Sequence, residues 1–125
     1  MANTWVKKKI LSMIQNAEHP VSYARIKEKM NASCSRVTIY RTLLRLENEN
    51  LISRFADQNG DFQYASRKKE DQPEKAYFQC TECNSFMNLE IEQSPSFAPT
   101  DLWIHSINFL ATGICPECHN KSRGN

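Results

Sequence analysis

Two pairs of cysteines carry the clearest chemistry in this chain of 125 residues. Cys80-Thr81-Glu82-Cys83 and Cys115-Pro116-Glu117-Cys118 are CxxC knuckles with 31 residues between them. Each knuckle presents two sulfurs from one tight turn, and two such turns brought together complete the tetrahedral shell that zinc accepts in structural sites. A site closed by four thiolates has no position for water or substrate, so its metal cannot act as a Lewis acid or generate hydroxide. Its use is stability, because metal binding contributes folding free energy to a segment too small to hold itself. The alternative is a redox dithiol or a pair of disulfides, but a redox CxxC usually follows a strand in a thioredoxin-like pattern and needs no second pair. The fifth cysteine, Cys34, stands apart. It is either a passive small residue in a turn or, beside Arg36 at a helix N-terminus, a reactive thiol.

The elements around these residues divide the chain in two. Residues 1–69 hold 13 Lys and Arg against 6 acids, a net of +7, and residues 70–125 hold 3 against 8, a net of −5. The total of +2 conceals this asymmetry, which fits a polyanionic partner for the first part only, or two solvated faces of opposite sign. In the basic part, Val6, Ile10, Leu11, Met13 and Ile14 recur at helical spacing and predict a helix over 4–16. His19-Pro20 breaks it, and Ser22 can cap a second helix that runs through Ala24, Ile26 and Met30. Ser33 or Ser35 can cap a third, with Val37, Tyr40, Leu43, Leu44 and Leu46 as its apolar stripe and an end near Glu49-Asn50. Residues 51–56 and 61–65 are β-prone around Asp57-Gln58-Asn59-Gly60, which predicts a hairpin. Three helices followed by a hairpin is the order of a winged helix-turn-helix, whose third helix enters the DNA major groove.

Residues 66–74 form the most polar stretch, and the pattern beyond them is mostly strand, with candidates over 76–80, 86–91 and 102–112. The expected organisation is α+β: a winged-helix domain over 1–66, a linker over 67–74 and a small zinc-stapled α/β domain over 75–125. No window approaches the roughly 20 apolar residues of a membrane span and residues 1–9 lack a signal-type apolar run, so a soluble, intracellular protein is expected. An enzyme is not expected, since the sequence has no recognisable Ser/His/Asp set, no glycine-rich phosphate loop and no open metal site.

The run Ser35-Arg36-Val37-Thr38-Ile39-Tyr40-Arg41-Thr42-Leu43-Leu44-Arg45-Leu46, then Leu51-Ile52, both knuckles and Thr112-Gly113-Ile114-Cys115-Pro116 resemble the ferric uptake regulator (Fur) superfamily over roughly residues 6–118. The resemblance implies a dimeric bacterial, cytoplasmic repressor with a winged helix, a C-terminal α/β dimerisation domain and a structural zinc held by Cys80, Cys83, Cys115 and Cys118. It also implies that Tyr40 lies near a thymine methyl and that Arg41 reads a base edge, as Arg does bidentately at guanine O6 and N7. Arg36, Thr38, Thr42, Arg45 and Lys8 are then expected at phosphates. The operator is double-stranded DNA, and no small-molecule substrate is indicated.

The departures from the family pattern are equally specific. The regulatory metal site of the family corresponds here to His19, Ala65, Lys75 and Tyr77, and Asn88, of which only the first could readily bind a metal. The sensing site is therefore expected to be lost. His105 and His119, with Glu90 or Glu92, are weak candidates for a different site, and oxidation of Cys34 is a candidate signal. An added N-terminal helix usual in the family is also expected to be missing, with Lys7, Lys8 and Lys9 as substitutes at phosphates. The rival reading is a zinc-stapled interaction protein that heterodimerises with a related regulator without binding DNA itself.

Overall fold

A computed structural model describes residues 3–30, 33–67, 75–93, 96–104, 107 and 109–123. The chain divides into two compact units, 1–67 and 68–125. In the first, α1 (Asn3–Asn16) turns Val6, Ile10 and Ile14 inward at four-residue intervals. β1 (Val21–Ser22) leads directly into α2 (Tyr23–Met30), where the Ser22 hydroxyl accepts the Arg25 amide at 3.1 Å. Ile26 and Met30 of α2 are fully buried.

The third helix, α3 (Arg36–Asn48), has a well-defined start and stop. Ser35 sits in extended backbone and its hydroxyl accepts the Thr38 amide at 3.2 Å, satisfying an amide that has no partner within the helix. At the other end the Leu51 amide donates to the Leu46 carbonyl and the Asn50 amide to the Glu47 carbonyl. That pair of bonds is a Schellman stop, and Asn50 supplies the left-handed residue it requires, with φ 62°. Ile39, Thr42, Leu43 and Leu46 form the buried face of α3. The expected apolar stripe is corrected here: Val37, Tyr40 and Leu44 point outward, because the spacing 39, 42, 43, 46 already fills the inner face.

Strands β2 (Ile52–Ala56) and β3 (Phe62–Ser66) form the expected hairpin, and β1 joins it, giving the antiparallel order β1-β3-β2. Gly60 takes φ 85° at the turn, while the Asp57 carboxylate accepts the Asn59 and Asp61 amides. β1 was not expected, since two residues carry no periodicity. Val21 and Tyr64, paired across it, close a core with Val6, Ile10, Ile14, Ile26, Met30, Ile39, Leu43, Leu46 and Ile52.

The second unit is built differently. β4 (Ala76–Cys80) lies between antiparallel β5 (Phe86–Leu89) and parallel β6 (Phe109–Gly113), and α4 (Pro116–Arg123) follows β6. Among the described residues of the expected strand over 102–112, the strand observed is Phe109–Gly113, and residues 105, 106 and 108 lie outside the described residues. Leu102, Trp103 and Ile104 are instead irregular and exposed, and among the described residues no strand pairs with them. α4 was missed, since its sequence has no apolar period; Pro116 at its first position and Glu117 in its first turn were the available signals. Among the described residues the buried apolar side chains of this unit are few: Ala76, Tyr77, Cys80 and Cys115.

The contrast in cores yields a first prediction. Leu46 is fully buried in the aliphatic core of the first unit, so Leu46→Ala should cost about 2 to 5 kcal/mol in urea unfolding followed by helical circular dichroism. A cost under about 0.5 kcal/mol, the range of exposed sites, would contradict the assigned core.

Candidate metal centre and nucleic-acid interface

The second unit brings both knuckles together. Cys80 ends β4 and is fully buried, and Cys83 follows after a turn; Cys115 precedes α4 and Cys118 lies in its first turn. β4 and β6 run parallel with Cys80 opposite Gly113, which delivers the second knuckle to the first. Glycine suits position 113, because a β-carbon there would stand 3.2 Å from the Phe78 ring, which would have to give by a few tenths of an ångström. Its carbonyl also accepts the Thr81 amide at 2.7 Å and the Thr81 hydroxyl at 3.1 Å, tying the two turns.

All four sulfurs lie within 4.8 Å of one another. A tetrahedron with Zn–S bonds of about 2.3 Å has edges of about 3.8 Å, and the Sγ atoms of Cys83 and Cys115 are 3.8 Å apart. A single ion therefore fits. Three backbone amides, from Glu82, Cys83 and Cys115, donate to Cys80 Sγ at 3.3, 3.5 and 3.4 Å. The Cys115 amide foremost, then those of Cys83 and Glu82, hold the Cys80 thiol down to about 6. Ser85, whose hydroxyl lies 3.1 Å from Cys83 Sγ, lowers that thiol as well. Cys118 is pushed up to about 12 by its hydrogen bond with Cys115 and by burial. Sulfurs this close cannot all ionise without a cation among them, and a divalent ion would take the place of the retained protons.

Among the described residues the four cysteines are the only cluster of three or more potential ligands. His19 is exposed in the connection after α1, Ala65 and Tyr77 are buried, Asn88 is exposed, and burial raises Tyr77 and lowers Lys75 from their ordinary values. His119 is exposed on α4, its amide closing the first turn on the Cys115 carbonyl. His105 lies outside the described residues. Cys34 is half-buried and packs against the first unit's core.

In the first unit, the outer face of α3 presents Arg36, Val37, Tyr40, Arg41, Leu44 and Arg45 to solvent. Thr38 is half-buried, with its hydroxyl 3.0 Å from that of Ser35. Thr42 corrects the sequence reading: it is 7% exposed and its hydroxyl donates to the Thr38 carbonyl at 2.7 Å, so it packs inward and is not placed for a phosphate. Lys8 is exposed on α1, whereas neighbouring Lys7 pairs with both Glu49 carboxylate oxygens at 2.7 and 2.8 Å. Arg54 is engaged within the hairpin region, 3.2 Å from Glu47 and with its guanidinium 4.3 Å from the Phe62 ring centroid. The structure adds one feature with no signal in the sequence: the rings of Tyr23 and Tyr40 stack 4.4 Å apart and 5° from parallel.

A helix-turn-helix with a hairpin wing and a cationic outer helix, followed by a small sheet gathering four cysteines, defines a winged-helix DNA-binding protein with a closed metal site. The ferric uptake regulator family matches residues 1–104, and the chain belongs to that family. Solved structures agree in fold. The Helicobacter pylori ferric uptake regulator is 19% identical with a TM-score of 0.67, over 93% of this chain and 83% of that one. The Vibrio cholerae ferric uptake regulator is 15% identical with a TM-score of 0.64, covering 90% of each chain. The Campylobacter jejuni peroxide stress regulator is 18% identical with a TM-score of 0.64, over 94% of this chain and 91% of that one. No curated protein matches the sequence.

Protons and metal compete for the same sulfurs, so zinc affinity should rise with pH and fall steeply below about 6, where Cys80 also takes up a proton. Zinc release to a chromogenic indicator between about pH 8 and about pH 5 measures this. An affinity independent of pH would contradict thiolate ligation. Cys80→Ser should abolish stoichiometric loading while leaving the unfolding transition of the first unit intact.

Proposed function

We propose that this Fur-family chain is a homodimeric transcriptional repressor of the bacterial cytoplasm, reading double-stranded DNA with α3. One structural zinc per chain is held by Cys80, Cys83, Cys115 and Cys118, and the family's usual metal-sensing site is lost. The observation that carries the DNA reading is the outer face of α3, where Arg41 and Tyr40 are exposed within the first two turns, between Arg36 and Arg45. Residues near the N-terminus of a recognition helix are those that reach base edges. Arg41 would read guanine, Tyr40 a thymine methyl, and Arg36, Arg45, Thr38 and Lys8 would sit at phosphates.

Zinc is favoured over other metals by four thiolates spaced for one tetrahedral ion. The Helicobacter pylori relative is described as having three functional metal-binding sites. Here one cluster gathers among the described residues. Dimerisation is supported by Phe97, Leu102, Trp103 and Ile104, which are 60, 75, 89 and 51% exposed in the single chain. Large apolar side chains this exposed, three of them consecutive, favour a covering partner.

The second reading, a heterodimerising partner that does not bind DNA, is favoured by Val37 and Leu44, apolar and half-exposed beside Arg41. A gel-shift screen over the organism's own promoter regions separates the two, and absence of any specific shift at low salt would favour the second.

Under the first reading, Arg41→Ala should cost about 1 to 3 kcal/mol in specific binding and relax base preference at one position. Lys8→Ala should weaken binding to all sequences and reduce the salt slope by about 1. Equal loss of specific and nonspecific binding in Arg41→Ala would contradict base reading.

A further inference from the structure

Tyr40 projects from the outer face of α3 and is 44% exposed. An aromatic side chain this open ordinarily samples several rotamers and loses that freedom when it binds. Here one face of its ring is already covered, by the nearly parallel ring of Tyr23 at 4.4 Å. Tyr23 is itself held from three sides. It directly follows β1, whose Ser22 is paired with Gln63; it opens α2; and its side chain packs against the first unit's core. Its hydroxyl is buried and has no hydrogen-bond partner among the described residues, so the ring and not the polar tip is what the fold uses.

We infer that Tyr23 is a positioning residue for DNA recognition, a fixed aromatic platform on α2 that holds Tyr40 in the orientation that meets a thymine methyl. The inference rests on the reading of α3 as the DNA-contacting helix. The stack removes from Tyr40 the rotamer freedom that binding would otherwise have to remove, and leaves its other face and edge for the base. Tyr23 acts through Tyr40 and need not touch DNA.

The test uses the full-length zinc-loaded protein and the duplex that wild type enriches from a randomised library. Uracil replaces each thymine in turn, deleting only the methyl. Wild type should lose about fourfold in affinity at one thymine, the value of one buried methyl-sized group. Tyr23→Phe, which keeps the ring and drops an unbonded hydroxyl, should retain that thymine-to-uracil ratio. Tyr23→Leu should bring it to about one while nonspecific binding at low salt and the thermal midpoint stay near wild type. Tyr23→Met replaces it if Tyr23→Leu does not fold. Tyr40→Ala separates the two claims. If Tyr40→Ala loses the thymine preference and Tyr23→Leu keeps it, the platform role is overturned and the DNA reading stands. If Tyr40→Ala keeps the preference, or wild type enriches no sequence, the role of Tyr40 itself falls and the inference falls with it.

Discussion

The second unit depends on the closure of four sulfurs. Its three short strands and one polar helix bury few apolar side chains among the described residues, whereas the first unit packs three helices and a hairpin around a continuous aliphatic core. A segment of this size and composition gains too little from apolar burial to offset chain entropy. The tetrad supplies the missing term, because it joins the end of β4 to the start of α4. The details around it serve that closure: the Gly113 carbonyl accepts the Thr81 amide and hydroxyl across the turns, and three amides favour the Cys80 thiolate. A closed site of this kind offers folding energy and no reactivity.

The first unit solves a different problem, which is to expose a chemically specific helix face without loosening the helix. The α3 backbone is secured at both ends, by Ser35 at its start and the left-handed Asn50 at its stop, and its inner face is anchored by Ile39, Leu43 and Leu46. That anchorage leaves the outer residues free of structural duties, with Tyr40 the exception because of its stack on Tyr23. Positive charge is also distributed by role. Lys7 and Arg54 are spent on internal ion pairs, which contribute little at such exposed positions, while Arg36, Arg41 and Arg45 remain on the open face.

Much of this organisation was legible in the sequence where one residue type has one physical use. Two CxxC pairs announce a tetrad, Ser35 announces a helix start, and Asp57 to Gly60 between β-prone runs announces a hairpin. The misses have common causes. β1 is too short to show a period, and α4 has no apolar face because its position is set by Cys115 and Cys118. Leu102, Trp103 and Ile104 read as strand because composition reports apolar, β-prone residues and not whether a neighbouring strand exists within one chain. Val37 and Leu44 read as core because apolar residues around α3 outnumber the positions its inner face can hold, and Thr42 read as surface because its hydroxyl bonds back to its own helix. The Tyr23–Tyr40 stack joins two helices whose relative placement no local pattern encodes.

The central claim is that the metal in this Fur-family protein is a staple and not a signal. The direct measurement is the affinity of one-zinc protein for the duplex it enriches from a random library, titrated with added zinc, manganese or ferrous iron while native mass spectrometry counts ions per chain. The account predicts one zinc per chain throughout and an affinity that does not change with added metal. A second ion that loads as DNA affinity rises tenfold or more, worth about 1.4 kcal/mol of coupling, would contradict it.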